Sequence, residues 1–242
     1  MLRTIFLEVT AVVATLCVVG AVTLVGQSRL AALRTELQPR LRDSAPYLTM
    51  LIVVLVLNSI IRDSAQELSW RIGFEITYLL AAYDAGVVAA IQSIQSQAVT
   101  TYFSSIYVYG YVFLLVFPIL AYVSLSDRKP FQRLVVAYSL NYFLGLTLYI
   151  LFIAYGPRNW DPVLYQNLLY DFTVTNSGTG YEYLTSEVNS RTNVFPSLHT
   201  SLSATVTLFA YKTRGTYPIW FGIATVLAAS IIVSTMYLGI HW

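Results

Sequence analysis

The sequence predicts an all-α bundle of about six membrane-spanning helices. Three observations carry this expectation. Only 11% of the 242 residues are charged, against about 25% in soluble domains. The mean hydropathy is +0.64. The apolar residues fall into runs that approach or exceed the roughly 20 residues a bilayer span requires. A net charge of +2 excludes a nucleic-acid partner as the organising idea. The one cysteine, Cys17, can form neither an internal disulfide nor a paired zinc site.

Five runs have the length and composition of spans or come close: Val9–Gly26, Tyr47–Ile61, Tyr102–Leu125, Leu134–Tyr155 and Tyr217–Ile240. A sixth, Ser197–Ala210, is short unless its flanks are included. The first run is expected to be an uncleaved span with its N-terminus outside, since Arg29, Arg34, Arg40 and Arg42 follow it. Ile76–Ile91 is apolar but carries Asp84 and Gly86, and is expected to lie at the outer interface or over the bundle. In that position Asp63, Glu67, Glu75 and Asp84 would meet water. Residues 1–133 then form the N-terminal spans with this interface segment, and residues 134–242 form a C-terminal core.

Charge orients the bundle. With the N-terminus outside, the inner loops are Gln27–Pro46, Ser126–Arg133 and Tyr211–Thr216, and they hold 9 of the 14 basic residues. Positive charge concentrates on the inner side of membrane proteins. The tight turn Lys212-Thr213-Arg214-Gly215 joins two neighbouring spans, so their far ends meet at the outer face. Those far ends carry the only two histidines, His199 and His241.

The histidines sit in short patterns, Phe195-Pro196-Ser197-Leu198-His199-Thr200 and Ser234-Thr235-Met236-Tyr237-Leu238-Gly239-Ile240-His241. Tyr155-Gly156-Pro157-Arg158 follows the fourth span at the same face, and a long polar loop leads from it towards Val194. Two imidazoles and a permanently charged guanidinium at a lipid–water boundary suit phosphoryl transfer. One imidazole attacks phosphorus and the other protonates the leaving oxygen. Arg158 and the first amides of the helix opened by Ser197 hold the charged oxygens. No cluster of metal ligands is present in the sequence, so a reaction without cofactor is expected. Against this stand plainer roles. Arg158 suits an interfacial anchor as well as a phosphate ligand, Arg191 suits a solvated loop charge, and the nineteen tyrosines suit interfacial or packing positions.

The patterns resemble the type 2 phosphatidic acid phosphatase (PAP2) superfamily. Pro196-Ser197-Leu198-His199 is similar to its second motif, with Leu198 in place of glycine. Ser234, Tyr237, Leu238, Gly239 and His241 fall in register with its third. The leucine variant and the Gly-Pro-Arg segment look closest to the branch of inositol-phosphorylceramide synthases and archaeal members. The resemblance covers roughly Leu134–Trp242. It implies a six-helix core, His241 as nucleophile through a phosphohistidine and His199 as proton donor. It also implies Ser197, Ser234, Arg158 and Arg191 around the phosphate of a lipid phosphate or lipid pyrophosphate, at the outer face of the cell membrane.

Three departures accompany it. The first family motif has no match, which leaves Arg158 assigned by position. Thr235 stands where the family has arginine, and the family's aspartate four residues after the nucleophile lies past Trp242. A fragment of a longer protein with one further span is the expectation. Two other functions stay open: a phosphotransferase moving a phospho-headgroup to an alcohol, and a catalytically silent membrane binding protein.

Overall fold

The computed structural model describes residues 2–168 and 194–242. They form an all-α membrane bundle. Four helical stretches have the length and composition to cross a membrane: Arg3–Val25, Gln97–Val123, Lys129–Leu151 and Pro218–Tyr237. A fifth exists if Gln27–Asp43 and Ala45–Ile61, bent by 68° at their junction, count as one broken span.

In chain order, α1 (Leu2–Gly20) continues through a π-helical turn, Ala21–Val25, and Gly26 ends it. The inner loop expected at Gln27–Pro46 is instead a helix, α2 (Gln27–Asp43). Its Leu30 and Leu33 pack on the core while its arginines reach outward, which is the reason a polar segment folds as a helix here. Arg40 is the exception. Its buried guanidinium pairs with Glu36 and donates to the carbonyls of Val123 and Leu125, closing the end of the central helix. Next come α3 (Ala45–Ile72), α4 (Thr77–Gln92) and α5 (Gln97–Ser105). A π-helical turn, Ile106–Gly110, joins α5 to α6 (Tyr111–Val123). The rest are α7 (Lys129–Leu151), the single turn α8 (Pro157–Trp160), α9 (Leu198–Lys212) and α10 (Pro218–Tyr237).

The rod α5–α6 runs through the centre. Leu114 and Phe117 on it, Leu134 on α7, Leu202 and Val206 on α9 and Trp220 on α10 are fully buried together. The outside is as apolar as the inside: Ile52, Leu208, Ile219 and Val226 are each 60% or more exposed. Helices that are apolar all round belong in lipid. The sixth expected span is α9, with 15 residues. At 1.5 Å per residue it covers only about 22 Å, yet it packs against α6, α7 and α10.

The two ends of the bundle differ in chemistry. One carries the turn between α9 and α10, Arg40 and the start of α7. The other is closed by short pieces. Phe74–Glu75 pairs in parallel with Phe152–Ile153, and Thr77 Oγ1 accepts from the Tyr155 amide. The α4 helix packs on α8 and on α10 near this end. Of the acids expected to face water there, Glu67 and Glu75 are exposed and Asp84 is half-buried.

Candidate active site at the closed end

The α10 helix stops in a reversal that depends on one glycine. Gly239 has φ +68°, in the left-handed region. The Ile240 amide donates to the Thr235 carbonyl at 2.9 Å and the Gly239 amide to Met236 at 3.0 Å, the bond pair of a Schellman ending. The His241 amide shares the Thr235 carbonyl at 3.1 Å. The chain therefore folds back over its own helix end and buries His241 to 4% exposure. Thr235, in the position where arginine was expected, serves this turn through its backbone, and its hydroxyl donates to Ile232.

The segment after α7 interlocks with this turn. A Cβ on Gly156 would lie 2.4 Å from the Ile240 carbonyl oxygen, so only glycine admits the contact. The Arg158 amide donates to the Gly239 carbonyl at 3.2 Å, and its guanidinium donates to Asn167 Oδ1 at 2.9 Å. Gln92 at the end of α4 clamps the same turn. Its amide group donates to the carbonyls of Tyr237 and Gln166, and its oxygen accepts from the Gln166 amide. Thr100 holds the Tyr237 hydroxyl at 2.6 Å. Trp242 donates to the Tyr155 carbonyl and packs edge-on against Trp160 and Tyr165.

His241 Nδ1 lies 2.8 Å from the Val194 carbonyl oxygen. A carbonyl can only accept, so Nδ1 carries the proton and Nε2 keeps its lone pair. Burial lowers the pKa to about 4; the Val194 bond opposes this, and the nearby Arg158 charge adds to it. His241 is thus a neutral, oriented imidazole at physiological pH, the form a nucleophile requires. The folded value lies below the unfolded value of about 6.5, so the stability linked to it is present above that pH and declines as pH falls towards 4. With only two histidines, ¹⁵N-histidine spectra of a His199→Asn protein contain one imidazole. It is expected to stay in the neutral Nδ1–H form from pH 8 to about 5. Titration near 6.5 would show an exposed ring instead.

His199, the second residue of α9, has its ring centroid 5.8 Å from that of His241. It rests against two tyrosines, nearly parallel to Tyr107 at 4.6 Å and tilted on Tyr111 at 4.2 Å. Tyr107 lies in the π-helical turn and Tyr111 starts α6. The wider turn brings residues four apart closer to one line, so both rings reach the same neighbour. Ser197 caps α9 by accepting from the Thr200 amide. Its polar atoms and the first amides of the helix lie beside His199.

The fold therefore gathers His199, His241, Arg158 and Ser197 at one end. Ser234 is placed differently: it is fully buried and its hydroxyl donates to Ile231 within α10. Arg191 lies outside the described residues. The sequence reading did not find Tyr107, Tyr111, Gln92 or the Val194 carbonyl. Only the spacing of four between the two tyrosines could have pointed to the pair, and nothing local marks the other two.

The family model described as PAP2 superfamily matches residues 77–242. The match starts at α4, well before Leu134, and takes in the elements that supply Gln92, Tyr107 and Tyr111 to the site. No curated protein matches the chain. No solved structure matches it either.

Proposed function

The chain belongs to the PAP2 superfamily, and from that premise we propose that it is a membrane lipid phosphatase acting through a phosphohistidine. The observation that carries this reading is the approach of the two imidazoles, 5.8 Å between centroids, with Arg158 close to His241. Imidazoles this close can serve one phosphate ester together, one at phosphorus and the other at the leaving oxygen. His241 Nε2 attacks phosphorus, the phosphorus–oxygen bond to the lipid breaks, and the leaving oxygen takes a proton from His199. Water then attacks the phosphohistidine and gives its proton to His199, releasing inorganic phosphate and restoring both rings. Arg158, Ser197 and the first amides of α9 stabilise the charged oxygens as charge builds up. Ser234 takes no part as a donor in this reading, because its hydroxyl hydrogen is used inside its helix.

The concentration of basic residues at the opposite end supports a site at the outer face of the cell membrane. The lipid-exposed flanks of the bundle suit a substrate that arrives from the bilayer, either a phosphomonoester or a pyrophosphate. The test uses the full chain in vesicles with ³²P-labelled lipid phosphates. Inorganic phosphate is expected to appear without any added alcohol. A labelled lipid that forms only when an alcohol acceptor is present would replace hydrolysis with phosphotransfer. No turnover under either condition would favour a silent binding protein.

A further inference from the structure

The end of the bundle opposite the histidines carries nine basic residues: Arg29, Arg34, Arg40, Arg42, Arg128, Lys129, Arg133, Lys212 and Arg214. Several are satisfied within the protein. Arg40 pairs with Glu36, and Arg128 pairs with Asp43. Arg29 and Arg214 lie over the rings of Tyr217 and Tyr211, and Lys212 over Phe209. Arg34, Arg42, Lys129 and Arg133 are different: among the described residues none of the four has an acidic partner. Arg34 and Arg42 lie on α2, whereas Lys129 and Arg133 stand together at the start of α7, where Asp127 accepts from the Lys129 backbone amide.

Both cations line the mouth of a groove of about 500 Å³ between α3 and α7, with Tyr47 and Gln132 beside them. Gln132 donates to the Asp43 carbonyl and to Ser44, which ties the mouth to the α2–α3 junction. Below the mouth the wall turns apolar: Val136, Ala137 and Leu140 line it, and Leu140 is 52% exposed. Positions 129, 133, 136 and 140 recur at helical spacing on one face of α7, over about 16 Å of axis. A cationic mouth at the membrane boundary above an apolar wall running into the bilayer has the shape and polarity of a phospholipid. Basic pockets between membrane helices hold anionic headgroups in this way.

We propose that this groove binds one anionic phospholipid, its phosphate held by Lys129 and Arg133 and an acyl chain laid along Val136, Ala137 and Leu140. The site lies about 35 Å from the histidines, the length of α7, and does not depend on the phosphatase reading. Its ligand is structural, bound and not turned over.

The test is native mass spectrometry of the full chain in detergent, titrated with dioleoylphosphatidylglycerol or dioleoylphosphatidylcholine. The wild-type protein is expected to retain the glycerol lipid preferentially. Lys129→Gln/Arg133→Gln is expected to weaken that retention about 10–30-fold, as two phosphate-facing charges are lost. Lys212→Gln/Arg214→Gln, at the same end, leaves it unchanged, and thermal melting of all variants stays as in the wild type. If the double variant misfolds, the exposed single change Lys129→Gln carries the test with a smaller loss. Equal retention of the choline lipid, an unchanged Lys129→Gln/Arg133→Gln protein, or an equal loss in the Lys212/Arg214 variant would each overturn the proposal. Displacement of the lipid by inorganic phosphate at equal concentration would show an anion site with no role for the acyl chain, and would overturn it as well.

Discussion

His241→Ala is expected to eliminate the phosphoenzyme and to lower turnover of a lipid phosphomonoester by about 10⁴-fold or more, the scale on which enzymes lose activity when a covalent nucleophile is removed. His241→Gln should do the same. It keeps side-chain volume and a hydrogen-bonding group near Val194, so its inactivity would reflect lost nucleophilicity and not a collapsed turn. His199→Ala should behave differently. Loss of a general acid costs about 10²–10⁴-fold when the leaving oxygen needs a proton. With a nitrophenyl phosphate, whose leaving group departs as a stable anion, the loss should shrink greatly. Acid-labile ³²P-labelling of the protein and steady-state rates with both substrates check these outcomes. Labelling that survives in His241→Ala would remove it as nucleophile. Equal sensitivity of His199→Ala to both leaving groups would remove the proton-donor role.

Gly156→Ala is also expected to lower turnover, although it adds a single methyl group to a residue that performs no chemistry. The new Cβ would stand 2.4 Å from the Ile240 carbonyl oxygen and 3.3 Å from a Val194 methyl group. The obstacle is mainly backbone, which cannot rotate away as a side chain could. Ile240 precedes His241, and Val194 supplies the carbonyl that orients its ring. A displacement of about 1 Å at a reacting group can cost about 10²-fold in rate. The expected result is a fall in kcat of that order in a protein that still folds and inserts. Gly86→Ala is the matched control, since nothing lies within 4 Å of its new methyl group; it should leave kcat unaltered and, being within α4, favour the helix slightly. Equal activity of the two variants would show that the Gly156–Ile240 contact does not position the site.

How much of this was legible depends on the range of the interaction concerned. The spans read well because each records a local balance, apolar side chains against the cost of carrying charge into lipid. The meeting of His199 and His241 was also legible, since a tight turn between two antiparallel helices forces their far ends together. The α2 helix was not. Its polar composition resembles a loop, and it is helical because Leu30 and Leu33 find the core and Arg40 finds the exposed carbonyls of a helix remote in sequence. Gln92 was passed over for the same reason: a glutamine at the end of an apolar run gains meaning only when the carbonyl of Tyr237, 145 residues away, arrives beside it.

By itself, then, the sequence determined the all-α membrane class and the end of the bundle where two histidines and an arginine sit, because composition, periodicity and motif are written along the chain. Only the tertiary structure decided which atoms hold those groups. The Val194 carbonyl fixes the His241 tautomer, Gly156 fits beneath Ile240, and Tyr107 with Tyr111 supports His199. A backbone carbonyl has no sequence signature, and a void the width of a missing methyl group exists only once two distant segments are packed. Hydrogen bonds and close contacts act over a few ångströms in space, whatever their separation along the chain.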